Sequence, residues 1–446
     1  MYIDFLVDLF QMHRDRDALV WRGKTYSYAW MLNAIHDWSN RLQLEAVTPG
    51  TVVSLEMDFS PDSIALLLAL VEHACVIVPL TASVEAKKPE FRDIAQIEVI
   101  IRIDDDDQVQ FQKTAVRATH ALYQRLLQAQ RPGLVLFSSG STGKSKAAVH
   151  DFAPLLEKFK VPRHALRTLT FLLFDHIGGV NTLLYTLSNA GCVVTVQDRN
   201  PDAVCQAIER YRVQLLPTSP TFINLLLLSE AYKRYDLSSL EMVTYGTEPM
   251  PESTLIRFYT LFPHIRLLQT YGLSELGILR SKSKSSDSLW VKVGGEGFET
   301  RIVDGMLEIK AQSAMLGYLN ALSPFTEDGW FQTGDAVEVD GEYIRILGRT
   351  SEIINVGGEK VYPAEVEGVL QLMEGVEDVT VQAEKNPITG HMVQAKVKLN
   401  TAETLGEFRK RMHNFCQDKL PRFKIPQKIL LVTESMHGER FKKIRL

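Results

Sequence analysis

The sequence predicts an α/β fold built on parallel sheets, then a region of short antiparallel strands, then a compact α+β unit. Three observations lead there. First, helix-like periodic stretches (Tyr28 to Leu42, Pro61 to Glu72, Pro201 to Arg210) alternate with short apolar strands, "TVVSLEM", "CVIVPL", "TFLLF" and "CVVTV". Alternation of this kind marks parallel strands joined by covering helices. Second, from about Gly294 the texture changes to "TRIVDGMLEIK" and "AVEVDGEYIRIL", where Asp-Gly supplies the positive-φ residues of tight hairpins. Third, "GRTSE" is followed by "PAEVEGVLQLM", "VEDVTVQA", "QAKVKL", a helix from about Leu405 to Lys419, and "KILLV". The chain therefore divides into residues 1–349 and 350–446.

Composition narrows the function classes. At 446 residues the chain can bury more than one core. A formal net charge of −5 gives no bulk attraction to nucleic acid or an anionic membrane. "SIALLLALVEHACVIVPL" is the most apolar segment, but Glu72 and His73 interrupt it short of membrane-spanning length. "MYIDFLVDLFQMHRDRDALV" carries acids inside its apolar run and no basic leader, unlike a signal peptide. Cys75, Cys192, Cys205 and Cys416 are scattered with no Cys-x-x-Cys pair, which predicts reduced core thiols and a cytoplasmic location, not a disulfide frame or zinc site. There is no internal repeat, and "SKSKSSDS" (Ser281 to Ser288) is expected to be a mobile surface loop.

"LVLFSSGSTGKSKAAVHD", residues 134 to 151, contains the letters of a nucleotide P-loop. That motif needs a glycine five positions before its Gly-Lys pair, and the position is Ser138. What remains is a Ser/Gly/Thr turn, Ser138-Ser139-Gly140-Ser141-Thr142-Gly143, directly after an apolar run. Glycines allow close backbone approach, and the exposed N–H groups of such a turn form an anion-binding nest. The plain alternative is a solvated Ser/Gly linker.

Several further motifs fall in one family's order: "PTSPTFINLLL", "DLSSLEMVTYGTEPMP", "QTYGLSELG", "GYLN", "EDGWFQTGD", "GRTSEIINVGGEKVYPAEVE" and a C-terminal Lys-Ile end. Together with the Ser/Gly/Thr turn, over about Thr25 to Leu446, they resemble the adenylate-forming superfamily of acyl- and aryl-CoA ligases, peptide-synthetase adenylation domains and luciferases. The resemblance implies a large N-terminal domain with a small β-barrel-like subdomain, and a small mobile C-terminal domain that swings about a hinge at Ser351. It also implies a two-step reaction. A carboxylate attacks the α-phosphorus of ATP to give an acyl-adenylate and pyrophosphate, and a thiol or amine then displaces AMP.

Residue by residue, the resemblance gives Ser138 to Gly143 to the β/γ-phosphates, with Lys146 (not Lys144) as the lysine closing the motif. Ser145-Lys146-Ala147 stands where the family has Pro-Lys-Gly. Glu275 matches the Mg²⁺-binding glutamate, a hard oxygen ligand. Thr270 and Ser274 would touch the α-phosphate region. Tyr271 would face adenine, and Gly246, Thr247 and Glu248 in "YGTEP" would line the adenine pocket with Gly272. Asp335 would accept both ribose hydroxyls, a geometry that favours an ionised carboxylate, and Arg349 would add a second contact. The catalytic lysine of the family stands in a Gly-Lys-Ile-x-Arg context. Matching Lys-Ile in "HGERFKKIRL" gives Lys443, with Lys442 as the one-residue alternative; Arg445 then sits one place early.

For the acid, "LLFDHIGGVNTLLYTL" resembles the His-x-x-Gly segment of acyl- and aryl-CoA ligases. It implies a pocket of His176, Gly178, Gly179, Thr244, Gly246, Gly272 and Gly277. Asp175 keeps an amino-acid-adenylating reading open, because peptide-synthetase domains use an aspartate there. The expected acceptor is CoA or a separate acyl carrier protein, with an amine as the alternative. A reductase or luciferase, or a ligase fold serving only as a binding protein, is the reading from another class.

Overall fold

The computed structural model describes residues 2–139, 145–438 and 441–443. Among them, two seven-stranded sheets carry the N-terminal region. One runs in the order Arg266–Gln269, Met242–Tyr245, Leu215–Thr218, Arg167–Leu169, Cys192–Val194, Asp17–Trp21, Lys24–Ser27. All its pairs are parallel except the last. The other has Val76–Pro79, Val52–Glu56 and Val99–Ile103 in parallel at its centre, with Gly133–Ser139 beside them. Antiparallel strands close both of its edges.

The helix Pro61–Glu72 explains the most apolar segment. Every residue from Ser63 to Val71 is buried, and it joins a core that includes residues from both sheets. A helix apolar on all sides needs such an interior position. Ser60 and Ser63 form a reciprocal capping box at its start, worth about 1 kcal/mol. Among the described residues, no helix is long and apolar enough to cross a membrane.

Two hairpins lie in a six-stranded antiparallel sheet, which occupies the place expected for the β-barrel-like subdomain. They turn differently. Asp304 and Gly305 both have positive φ, 50° and 76°, as a type I′ turn requires. In "VDGE", Asp340 stays in the strand opposite Tyr343, and the turn is Gly341-Glu342 with only Gly341 at positive φ. Expecting Asp-Gly at both turn centres was wrong at the second.

Two other expectations need correction. "TFLLF" is not a strand: pairing stops at Leu169. Phe171 and Phe174 are buried in the connection that follows, held by the Arg199 Nε bond to the Phe171 carbonyl and the Phe174 N–H bond to Asp58. The run is apolar because it packs. In "SKSKSSDS", Ser281–Ser283 pairs with Val291–Val293, and the buried Ser283 hydroxyl accepts the Gln269 N–H at 2.8 Å. That half of the segment is ladder, not free loop.

From Ile354 onward a five-stranded sheet forms, with the helices Pro363–Leu370 and Leu405–Cys416 packed on it. It has its own core, which includes Val366, Val379, Val397, Phe408 and Ile429.

Candidate active site

The strands Gly133–Ser139 and Ser145–Asp151 are antiparallel neighbours, with Ser138 opposite Lys146 and Ser139 opposite Ser145. The strands on either side of the Ser/Gly/Thr segment are therefore paired with each other. A P-loop leads from a strand into a helix, so this topology excludes one independently of the missing glycine. Gly140, Ser141, Thr142, Gly143 and Lys144 lie outside the described residues. Ser138 and Lys146 border a cavity of about 420 Å³, and the Lys146 ammonium lies 5.3 Å from the centre of the Tyr318 ring.

A larger cavity, about 670 Å³, adjoins it. The residues they share include Gly246, Thr247, Thr270, Gly272, Arg349 and Lys442. Gly246 and Thr270 follow neighbouring parallel strands, and a Cβ at Gly246 would meet the Thr270 carbonyl and hydroxyl at 2.8 Å. Only glycine fits there. Thr270 donates its hydroxyl to the Tyr245 carbonyl at 3.0 Å, leaving oxygen lone pairs but no proton for a ligand. Thr247 borders both cavities with φ 76°, a conformation that is rare for a β-branched residue and clusters at functional sites. Glu248 accepts the N–H and the hydroxyl of Thr221 and, at 3.2 Å, the backbone N–H of Lys443.

In the larger cavity Asp335 and Arg349 are cross-strand partners. Arg349 Nε lies 3.3 Å from Asp335 Oδ1, and the Tyr271 hydroxyl donates to Oδ2 at 2.5 Å. Asp335 is 5% exposed. Burial pushes its carboxyl above the usual range, with Arg349 and Tyr271 opposing. Burial and the neighbouring carboxylate also push the Tyr271 phenol well above its usual range. The carboxylate, the phenol and the guanidinium thus form one linked polar group on the wall of the larger cavity.

Glu275 sits at the tip of a short ribbon in which Gly272 pairs with Ile278 and Leu273 with Gly277. Gly277 has φ 84°, and a Cβ on Gly272 would meet the Gly277 carbonyl at 2.7 Å, so both glycines are needed for the turn that presents Glu275. The carboxylate accepts the Tyr318 hydroxyl at 2.7 Å. The carbonyl of Ser274 accepts from His150 Nε2 at 2.6 Å. Among the described residues no group of three or more His, Cys, Asp or Glu could hold a metal alone. A cation at Glu275 would need phosphate oxygens and water as its other ligands, which suits Mg²⁺.

The smaller cavity extends to His176, Gly178 and Thr244. His176 caps the helix Ile177–Leu187, its Nδ1 accepting the Gly178 N–H at 3.2 Å. Asp175 is turned elsewhere: it is 4% exposed, accepts the Thr81 hydroxyl at 3.0 Å and does not border this cavity. Gly179 and Gly277 do not border it either. Gly179 is packing, because a Cβ there would lie 2.0 Å from the Leu173 carbonyl.

The two candidate lysines have different surroundings. Lys443 Nζ donates to the Val379 carbonyl at 2.7 Å and lies 3.6 Å from Asp378 and 3.7 Å from Glu367. All three belong to the C-terminal sheet and its helix. The ammonium of Lys443 is thus committed to its own sheet, although the residue borders the larger cavity. Lys442 borders both cavities. A sequence signal for this existed: with Lys442 as the family lysine, Arg445 falls three positions later, in register with Gly-Lys-Ile-x-Arg.

The family model "AMP-binding enzyme" matches residues 8–312, and "AMP-binding enzyme C-terminal domain" matches residues 365–442. The indoleacetate–CoA ligase of Aromatoleum aromaticum (strain DSM 19018 / LMG 30748 / EbN1) is 29% identical over 332 residues, covering 68% of this chain and 64% of that protein. A 3-[(3aS,4S,7aS)-7a-methyl-1,5-dioxo-octahydro-1H-inden-4-yl]propanoyl:CoA ligase of Rhodococcus jostii (strain RHA1) is 27% identical, over 67% of this chain and 61% of that protein. The matches thus span less than two thirds of these two relatives. The crystal structure of the anthranilate CoA ligase AuaEII with anthranoyl-AMP superposes with a TM-score of 0.81 at 19% identity, covering 98% of this chain and 95% of that one. The o-succinylbenzoate CoA synthetase of Bacillus subtilis with its acyl-adenylate intermediate gives 0.77 at 19%, covering 99% and 97%. At these identities the superpositions show the fold alone. With its family model matched over well more than half its length, this chain belongs to the AMP-binding enzyme family.

Proposed function

We propose that this protein activates a carboxylic acid with ATP and transfers the acyl group to a thiol. In the first step a carboxylate oxygen bonds to the α-phosphorus, the bond to the bridging oxygen breaks, and pyrophosphate leaves. In the second the thiolate attacks the acyl carbon and AMP leaves. The observation that carries this reading is the junction of the two cavities. One holds Asp335, Tyr271 and Arg349, and the other holds Lys146, Glu275 and His176.

Asp335 would accept the ribose hydroxyls, supported by Arg349. Tyr271 and the 246–248 backbone would border adenine. Lys146 and the segment Ser138 to Gly143 would hold the β/γ-phosphates. Mg²⁺ on Glu275 and phosphate oxygens would neutralise charge on the triphosphate. Lys442 would meet the charge that develops at the α-phosphate, where a fixed cation acts most strongly in a water-poor site.

The names of the relatives favour an aryl or acyl acid with CoA as acceptor, a separate carrier protein being the other thiol source. Asp175 lies off the acid cavity, which weighs against recognition of an α-amino group. Residues 350–446 would form the second domain, with Ser351 as hinge. A cytoplasmic location rests on four free, buried cysteines. The test is exchange of labelled pyrophosphate into ATP over a panel of aryl and acyl acids. Exchange that depends on the acid is expected; nucleotide binding without exchange for any acid would leave a binding protein.

A further inference from the structure

His150 is fully buried in the strand Ser145–Asp151, yet its ring bonds outside its own sheet. Its Nε2 lies 2.6 Å from the Ser274 carbonyl. A carbonyl oxygen only accepts, so Nε2 carries the proton. Ser274 immediately precedes Glu275 in the turn of the ribbon 272–278, which belongs to neither seven-stranded sheet.

The strand that carries His150 also carries Lys146. Alternate residues of a strand share a face, so Lys146, Ala148 and His150 form one row. Ala148 packs in a cluster with Leu273 and Leu276 of the ribbon, whereas Ala147 and Val149 pack into a different core. Tyr318 is the cross-strand partner of Ala148 and stands on the same face. Its hydroxyl donates to Glu275 at 2.7 Å, and its ring centre lies 5.3 Å from the Lys146 ammonium, within cation–π reach. The backbone carbonyl of Glu275 accepts the Met315 N–H at 2.7 Å. A loop of contacts therefore leaves the strand at Lys146, passes through Tyr318, Glu275 and Ser274, and returns to the same strand at His150.

We infer that His150 is a positioning residue: its Nε2–H holds the turn that carries Glu275 in register with Lys146, so that one strand sets both the cation ligand and the phosphate lysine. Without that bond the turn is held on one side only. The cation loses a fixed ligand, while Lys146 keeps its place in the strand. The protein then loses part of its preference for metal-bound over metal-free ATP. The inference rests on the function proposed above, in which Mg²⁺ at Glu275 and Lys146 meet the same triphosphate.

The test compares His150→Gln, His150→Asn and His150→Met in the full chain. Glutamine can place an amide N–H near the site of Nε2, asparagine falls one methylene short, and methionine fills the space with no donor. Calorimetry gives the affinity for Mn²⁺–ATP and, in EDTA, for metal-free ATP, each per folded molecule. The ratio of the two measures the coupling of the cation to the site, and a merely structural role would move both affinities together. The ratio should fall about 10- to 100-fold in His150→Met and His150→Asn and stay within a few-fold of wild type in His150→Gln. The Mg²⁺ concentration that half-saturates pyrophosphate exchange should rise in the same two variants. If His150→Met does not fold, the Gln–Asn pair decides. An unchanged ratio in the donorless or shortened variants, an equal fall in both affinities, or a wild type that binds Mn²⁺–ATP no better than metal-free ATP would overturn the inference. If the wild type shows no acid-dependent exchange, the proposed function fails, while the affinity ratio still decides the part of His150.

Discussion

Glu56 is surrounded by donors. Arg92 bonds to both of its oxygens at 2.7 Å, Arg102 reaches it at 3.2 Å and Lys88 at 3.8 Å. Asp335 is comparably buried but has one arginine at 3.3 Å and one phenol. The consequence is opposite protonation behaviour. Burial pushes Glu56 up, but its cations outweigh burial and hold it below the usual range. Burial wins at Asp335 and leaves it above. A carboxylate saturated by protein donors belongs to the fold. One buried with too few donors is tolerated where a ligand completes the set.

The comparison breaks most easily at Glu56. Glu56→Gln leaves three cations around a neutral amide and should cost about 3 kcal/mol of stability at pH 7, with pyrophosphate exchange per folded molecule unchanged. Because the folded carboxyl lies below its unfolded value, its contribution is present above the ordinary glutamate range and lost as pH falls through the lowered value. Urea unfolding should therefore show the gap between wild type and variant closing in acid. A stable Glu56→Gln that loses exchange would move Glu56 into the site.

Asp335→Asn should do the reverse. Losing charge-assisted bonds to the ribose should cost about 2 kcal/mol, roughly 30-fold in the KM for ATP, with unfolding free energy at pH 7 unchanged or raised. Unfolding of this variant without a change in KM would make Asp335 a second Glu56.

Lys158 offers a third, weaker case. Its ammonium donates to the Asn181 side chain and the Ile278 carbonyl, and among the described residues no carboxylate pairs with it. Burial pushes it down to about 7. The native state then disfavours the charged form, a cost that is full below pH 7 and fades as pH rises toward the ordinary lysine value. Lys158→Met should melt a few degrees above wild type at pH 6, with the gap closing near pH 10. A gap independent of pH would remove the charge from the explanation.

Much of this was legible in the sequence where the signal is local. Pro61–Glu72 begins and ends where its periodicity says, and Pro201–Tyr211 runs one residue past its expected end. The hairpin pattern located two turns but not that Gly341 rather than Asp340 begins the second. "TFLLF" failed because an apolar run reports burial, and burial does not require a ladder. The Glu56 cluster was invisible: its partners lie 32 to 46 positions away, and only the sheet and its covering helix bring them together. The lysine register was ambiguous because two lysines stand side by side. It was the side chain's attachment to Val379 that separated them.

That pair gives the most direct test of the account. Lys442→Ala and Lys443→Ala should be compared in acid-dependent pyrophosphate exchange, each normalised to folded protein. Lys442→Ala should lose exchange by on the order of 10²–10³-fold, and Lys443→Ala should stay within a few-fold of wild type. Exchange retained in Lys442→Ala and lost in Lys443→Ala would contradict it.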